Sequence, residues 1–318
     1  MSEQLKPHPC DLCGGTRFEK CGPPFEDQKL PRILKCSTCG LVFTAQHFGG
    51  DGLKRLYDSY YSETEFRLPS KIWGWAFSLR RNLLLRRFYH FLFGNYVGEI
   101  LGRSVGRVLD VGCGKGGFME ELRRLGREPF GVEPSPEAAL LCRKKGLPVQ
   151  EGLFGEVLYP EEFFDTIVFL HSLEHLPSSS KALQEAFRIL RPGGRVFIFC
   201  PNLQSYMARW FGESWAGWHL PFHLYHFTPK TLRRLVLDAR FRVVQMRTVT
   251  PDILFHTSLK DHPASRSTNP LKLLLRLVRL FPFRLALAMI FRFLDLVFPG
   301  EGECLQVELE KRVGTGGR

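Results

Sequence analysis

Two pairs of cysteines stand near the start of the chain, Cys10-Asp-Leu-Cys13-Gly14 and Cys36-Ser-Thr-Cys39-Gly40. Two CxxC turns can gather four thiolates into a tetrahedron, the geometry zinc takes in a structural site, and four sulfur ligands leave no open position for catalysis. The glycine after each pair permits the tight turn that aims backbone amides at sulfur. The 22 residues between the pairs slightly exceed the usual ribbon gap, an excess a hairpin can absorb. Paired spacing with paired glycines points to a zinc ribbon over residues 1–48 rather than to four unrelated thiols. Cys21 is left over and reads as a spare thiol.

A second constellation lies further on. The run from Arg107 through Asp110, Gly112, Cys113, Gly114 and Gly116 to Phe118 reads as a β-branched strand, a glycine turn and a helix start. Glycine lets the backbone approach a ligand closely, and a helix N-terminus favours negative charge. A second strand then runs to Glu133, nineteen residues after Gly114, where an acid is placed for a ribose diol. The glycine turn alone says little. Asp110 before it and Glu133 after it make the pattern specific.

These residues resemble the class I S-adenosylmethionine-dependent methyltransferases. "VLDVGCGKGGF" is similar to their first motif and "GVEPS" to their second; Phe164 to Leu176 resembles the fourth-strand motif and Ile189 to Asn202 the fifth. "HLYHFTPKTLRRL" resembles a bacterial subgroup whose members often carry an N-terminal CxxC…CxxCGLVF, as Cys36 to Phe43 does here. The resemblance covers about residues 105–250 plus the last strand. It implies an α/β fold: a doubly wound, seven-stranded Rossmann-like sheet with a small N-terminal zinc ribbon and a helical insertion before an antiparallel last strand. It also implies roles. Asp110 and the backbone of Gly112, Cys113, Gly114 and Gly116 would hold the methionine end of the cofactor, and Glu133, followed by Pro134, its ribose. Leu170 and His171 would line the same cleft. The family's usual adenine-reading acid is replaced by Leu153, which leaves Glu151, Gly152 or backbone for that contact.

Strand four is expected to end at Leu170, so His171, Ser172, Glu174 and His175 fall at the carboxyl edge of the sheet, where open α/β folds bind ligands. The loop from Asn202 to Thr228 holds Trp210, Trp215, Trp218, Tyr225, His219, His223 and His226, a composition that suits a substrate lid. A plainer reading has the aromatics packing and the histidines bonding backbone. Methyl transfer is an in-line displacement governed by positioning, and a hydroxyl acceptor must also lose its proton. His175 or His223 is expected as the general base. Alternatively His171, Glu174, His175 and His223 could ligate a second, divalent metal. They are similar to an ExxEH-plus-His arrangement of small-RNA 2′-O-methyltransferases and ubiquinone-pathway O-methyltransferases, with histidine in place of the first glutamate.

The fourth-strand motif lacks the Asn/Asp-Pro-Pro-aromatic signature of amine methyltransferases and the Pro-Cys of cytosine-C5 enzymes. O-methylation of a small-molecule, saccharide or lipid-linked acceptor therefore leads. C-methylation of a sugar, an RNA methyltransferase with a zinc module and a non-catalytic binding module are the alternatives.

The elements that must position these residues fit within 318 residues, of which 44% are hydrophobic and 24% charged; disorder is excluded. Mean hydropathy is −0.11 and no long uncharged apolar run occurs, which sets the expectation of no spanning helix. The first residues lack the apolar core of a secretory leader, and nine cysteines without a leader fit a reducing cytoplasm. The net charge of +12 favours an anionic partner. It concentrates in two segments, Phe66 to Gly98, rich in aromatics and without an acid, and Leu271 to Phe298. Lys272, Arg276 and Arg279 share a helical face opposite leucines, with Pro282 dividing that segment. Such surfaces touch the inner face of an anionic membrane, or are simply solvated capping helices. A packing helix is expected over Asp51 to Tyr61. The chain divides into the ribbon (1–48), a helical cap (49–102), the cofactor core (103–250), an amphipathic helical insertion (251–303) whose loosest part is Pro263 to Pro270, and the last strand with its tail (304–318).

Overall fold

The computed structural model describes residues 8–22, 31–45, 96–251, 258 and 281–312. The expected helix at 51–61, most of the basic aromatic segment 66–98, the basic face of Lys272, Arg276 and Arg279, and the segment 263–270 lie outside the described residues.

The N-terminal part forms three short strands, β1 (Phe18–Cys21), β2 (Ile33–Cys36) and β3 (Val42–Thr44). A helix, α1 (Tyr96–Arg103), leads into alternating strands and helices: β4 (Arg107–Val111), α2 (Gly117–Arg124), β5 (Glu128–Glu133), α3 (Pro136–Lys144), β6 (Val149–Glu151), β7 (Phe164–Leu170), α4 (Ser179–Ile189) and β8 (Leu190–Pro201). Then come α5 (Tyr206–Phe211), β9 (Tyr225–His226), α6 (Pro229–Asp238), β10 (Arg242–Val249), α7 (Phe281–Val297) and β11 (Cys304–Glu310).

The main sheet has seven strands in the order β10-β11-β8-β7-β4-β5-β6. Its five core strands, β8, β7, β4, β5 and β6, are parallel, and β11 runs antiparallel to both β8 and β10. This is the expected doubly wound sheet with an antiparallel last strand. The central strands read as apolar runs because both faces are covered; Phe164, Ile167, Val168 and Phe169 of β7 are fully buried. Local signals stop and start the helices. Ser178 caps α4 by accepting from the Lys181 amide, and α6 opens on a reciprocal Thr228–Thr231 capping box.

The cysteine ribbon is continuous with the core. Its strands form a second sheet in the order β1-β2-β3-β9, so the fourth strand comes from the lid loop. Val42 pairs with His226 and Phe43 with Tyr225.

The insertion helix α7 is a single 17-residue element. Its two described charges point inward: Arg292 pairs with Asp295 at 2.8 Å, with side chains 11% and 7% exposed. Asp295 also accepts from the Thr250 amide at 2.9 Å and hydroxyl at 2.7 Å and from Tyr206 Oη at 3.2 Å. The expected solvated basic face therefore does not hold at Arg292; Phe283, Met289, Ile290, Phe293, Leu296 and Val297 face outward instead. The inner Phe291 packs with Ile33, Val42, Met207, Trp215 and Trp218, joining insertion, lid and ribbon in one cluster. Asp295→Ala would leave the Arg292 guanidinium buried without its partner, a loss of roughly 3–5 kcal/mol. Urea denaturation measures it; a loss under about 1 kcal/mol, the range of an exposed pair, would show that the pair does not anchor the helix.

Candidate active site

The turn after β4 is set by backbone conformation. Gly112, Gly114 and Gly116 have φ of 74°, 53° and 78°, a left-handed region costly for residues with a Cβ. A Cβ on Gly112 would stand 2.9 Å from Ser172 Cβ, so the turn lies directly against the loop after β7. Gly112 donates its amide to Val132 O at 2.8 Å, tying the turn to β5.

Two buried carboxylates flank this turn. Glu133 Oε2 accepts from Gly114 N at 2.8 Å and Oε1 from Ser135 N at 3.0 Å. Burial pushes Glu133 up to about 7, against those two amide bonds. Burial likewise brings Asp110 up to about 7, with the charge of Glu133 adding to the effect. Ser172 Oγ is buried with no hydrogen-bond partner among the described residues. A glycine cradle, two buried acids and an orphaned hydroxyl fit a ligand that brings hydroxyls and positive charge, as S-adenosylmethionine does. Cys113 is buried beside them, and Cys142 Sγ lies 3.1 Å from Gly114 O. Glu151 pairs at the surface with Arg143 at 2.8 Å, Gly152 adopts φ 147° and Leu153 is buried. Pro134 and Leu170 are half-buried beside Glu133 and at the end of β7.

The loop after β7 begins with His171 at φ 52° and passes through a 3₁₀ turn, Leu173–His175. The lid contributes His219, itself at φ 36°, and His223. Non-glycine residues in this region store strain, which tends to gather at functional sites. The ligating atoms of His175, His219 and His223 all lie within 4.8 Å of one another. Glu174 Oε1 is 4.0 Å from His223 Nε2 and 3.4 Å from His171 Nδ1. Both oxygens of Glu174 are buried without a hydrogen-bond donor among the described residues. His175 Nδ1 lies 3.0 Å from Phe222 O and His223 Nδ1 2.8 Å from Gly217 O. A carbonyl can only accept, so each Nδ1 carries the proton and each Nε2 the lone pair. Burial drives His175 down to about 3, with His219 adding to the shift, and holds His223 well below the usual histidine range.

Of the histidines marked in the sequence, His175 and His223 therefore come together, with Glu174 against His223. His171 approaches the same Glu174 oxygen. His219, which the sequence placed only in the lid, completes the triad; its spacing of four from His223 was the available signal. His226 is buried against Trp218, with ring centroids 4.9 Å apart.

At the far end of the ribbon sheet, Cys10 Sγ is 3.4 Å from Cys39 Sγ and Cys13 Sγ 3.6 Å from Cys36 Sγ. These separations are near the ~3.8 Å edge of a tetrahedron with zinc–sulfur bonds of ~2.3 Å. Although burial works the other way, the amides of Cys39 and Thr38 help bring Cys36 down to about 7. The four cysteines form a cluster that could bind zinc.

Comparison with known proteins agrees with this geometry. The chain belongs to the methyltransferase-domain family, whose sequence profile matches residues 77–246, more than half of its length. It is an S-adenosylmethionine-dependent methyltransferase of the class I fold. The family match leaves the cysteine ribbon outside. The chain is 29% identical over 168 residues to a ubiquinone biosynthesis O-methyltransferase of Cupriavidus pinatubonensis, covering 49% of this chain and 68% of that one. It is 28% identical over 176 residues to the protein of that name in Burkholderia pseudomallei, covering 51% and 74%. A match of 32% over 115 residues to the Xanthomonas oryzae protein covers 34% and 48%. Among solved structures, the [4+2]-cyclase SpnF is 18% identical with a TM-score of 0.48, covering 69% of this chain and 80% of that one.

The two acids make cofactor binding dependent on pH. Asp110 and Glu133 hold their protons up to about 7 when folded and to about 4 when unfolded. The folded state binds more protons between those values, so the acids' contribution to stability falls as pH rises from about 4 to about 7. The ionised forms accept from hydroxyl and ammonium groups, so ligand binding strengthens over the same interval. The thermal shift produced by saturating S-adenosylhomocysteine should grow from about pH 5.5 to about pH 7.5. A shift independent of pH, measured by scanning fluorimetry, would uncouple these acids from the ligand.

Proposed function

We propose that this enzyme methylates a hydroxyl oxygen of a small-molecule or lipid-linked acceptor, and that the acceptor binds over Glu174, His175, His219 and His223. The observation that carries this reading is the buried Glu174 carboxylate, which lacks a hydrogen-bond donor among the described residues and sits beside histidines held neutral. A buried charge without compensation is costly, and a cation is the complement that this donor set fits. His175, His219 and His223, with Glu174, would hold a divalent ion, which when bound supplies Lewis acidity that lowers a hydroxyl's pKa. A free base near pKa 3 is poorly matched to neutral pH, which favours this reading over His175 as a simple general base. Phe222 O and Gly217 O accept from the two Nδ1 atoms and so leave the lone pair on each Nε2, a backing arrangement typical of ligating histidines. Asp110 binds the methionine end of the cofactor and Glu133 its ribose, and S-adenosylmethionine supplies the activated methyl group. The relatives' O-methyltransferase activity supports an oxygen acceptor. Cys10, Cys13, Cys36 and Cys39 hold a structural zinc in this reading, and the division at residues 48, 102, 250 and 303 belongs to it.

The test uses 3,4-dihydroxybenzoate as a probe with methyl-labelled S-adenosylmethionine and magnesium or manganese. A methyl ether should form, and His223→Ala should reduce turnover by about 10- to 100-fold while leaving nucleoside affinity intact. Undiminished ether formation after mild chelation, and in both His175→Ala and His223→Ala, would sink the metal-assisted reading.

One observation favours a lipid-linked acceptor. The outward face of α7 is apolar, with Phe293 and Leu296 64% and 72% exposed, and Lys272, Arg276 and Arg279 precede it in the sequence. Apolar anchors beside basic residues suit an anionic bilayer surface. Among the described residues no helix is long and apolar enough to cross a membrane. Sedimentation with phosphatidylglycerol vesicles at low salt should capture the protein, and Phe293→Ser with Leu296→Ser should weaken capture. Salt-dependent retention on RNA without vesicle binding would favour the nucleic-acid alternative.

A further inference from the structure

The ribbon makes two separate attachments to the walls of the histidine cluster. The first comes from the loop between Cys10 and Cys13. There the Asp11 carboxylate accepts from Ser178 Oγ at 2.6 Å, Ser180 N at 2.9 Å and Ser180 Oγ at 2.8 Å. These residues open α4, three to six positions after Glu174 and His175. The second comes from β3, which follows the Cys36–Cys39 pair. Thr44 Oγ1 donates to His223 O at 2.6 Å, and Thr44 N donates to Leu224 O at 2.9 Å. The two walls also meet each other: Leu224 N donates to Glu174 O at 2.8 Å, and Tyr225 Oη to Pro177 O at 2.9 Å.

One half of the thiol cluster is thus fixed to the segment carrying Glu174 and His175, and the other half to the segment carrying His223. The sulfurs that draw the halves together, Cys10 to Cys39 and Cys13 to Cys36, each span the two halves. The bonds from Asp11 and Thr44 end on these two loops, while the cofactor cradle is built mainly from β4, β5 and their turns and meets the first loop at Ser172, which packs against Gly112.

We propose that the cysteine ribbon is a positioning device for the acceptor site. Asp11 and Thr44, one from each half, hold the Glu174 and His223 segments at a set separation, and gathering the four thiolates around one zinc ion fixes that separation. Neither residue touches acceptor or cofactor; each acts through the backbone that carries a site residue. The role assigned to the cluster rests on the acceptor-site reading above, whereas the mechanical link does not.

The test uses the full chain loaded with zinc, and the variants Thr44→Val, Thr44→Ser and Asp11→Ala. Three quantities are read: imidazole ¹⁵N signals of His175 and His223, cobalt uptake at the histidines, and affinity for S-adenosylhomocysteine. Thr44→Val and Asp11→Ala should shift the ring signals and weaken cobalt binding by about 10- to 100-fold, as loss of outer support does at ligating histidines. Nucleoside affinity should change by less than about twofold, as expected for uncoupled sites. Thr44→Ser, which keeps the hydroxyl, should restore the wild-type pattern. Unchanged histidine signals in both variants would overturn the proposal. So would loss of nucleoside binding together with the signals, which would make the ribbon a support of the whole fold, and so would wild-type thiols that take up no zinc. If wild-type histidines take up no cobalt while the variants still shift the rings, the acceptor-site reading fails and the positioning role stands.

Discussion

Burial of carboxylate at the edge of a parallel sheet is the constraint on which this molecule turns. Removing an ionised group from water costs several kcal/mol unless donors or cations replace the lost hydration. Glu133 meets that demand inside the fold, because the amides of Gly114 and Ser135 point at its two oxygens. Glu174 has no such donors: the nearest histidine nitrogens stand 3.4 and 4.0 Å away, and no donor among the described residues reaches it. One acid is thus held by the fold's own amides, and the other is left without a donor among the described residues. The parallel strands β5, β4 and β7 bring both acids to the same rim, since Val132, Val111 and Phe169 lie side by side in register.

The two sheets divide the labour. The seven-stranded sheet supplies the rim, the glycine turn and the first half of the histidine cluster. The four-stranded sheet borrows β9 from the lid, and with it the backbone around His223. Packing crosses that division, because ribbon residues Cys10, Leu12 and Cys36 and Tyr225 of β9 share the main core. Leu41, Leu173, Leu176, Leu224 and Phe227 belong to the main core, whereas Ile33, Val42, Trp215, Trp218 and Phe291 form a smaller one beneath the lid. The lid is anchored a third time by Glu303, which accepts from Ser205 Oγ and Trp215 Nε1 at 2.9 and 2.7 Å. Trp215, Trp218 and Tyr225 therefore pack, as the plainer reading of that loop had it, whereas Trp210 is 60% exposed and His219 and His223 gather with His175.

Much of the core was legible in the sequence because its signals are local. A β-branched run, an acid and spaced glycines announce β4 and its turn; β7 ends at Leu170 as expected, and β11, Cys304–Glu310, falls within the segment 304–318 that the resemblance gave to the last strand. The features that escaped are long-range or unpatterned. β9 has two residues, too few to show alternation, and its partner lies some 180 positions away. His219 joins the cluster through the fold of the lid, of which its spacing of four from His223 is the sole local trace. In α7 apolar residues occupy every face, so periodicity could not tell that Arg292 and Asp295 turn inward.

The pairing of β10 with β11 brings Val249 beside Cys304. The fifty-odd intervening residues therefore leave and re-enter the sheet at one point, as an oversized hairpin loop. Once such a loop is closed, doubling its length adds only about 0.6 kcal/mol of entropic cost. What constrains the insertion is therefore its packing, through Phe291 and Asp295, rather than the closure of the loop. The join lies on the flank of the sheet opposite the glycine turn of β4, so the two regions share no strand.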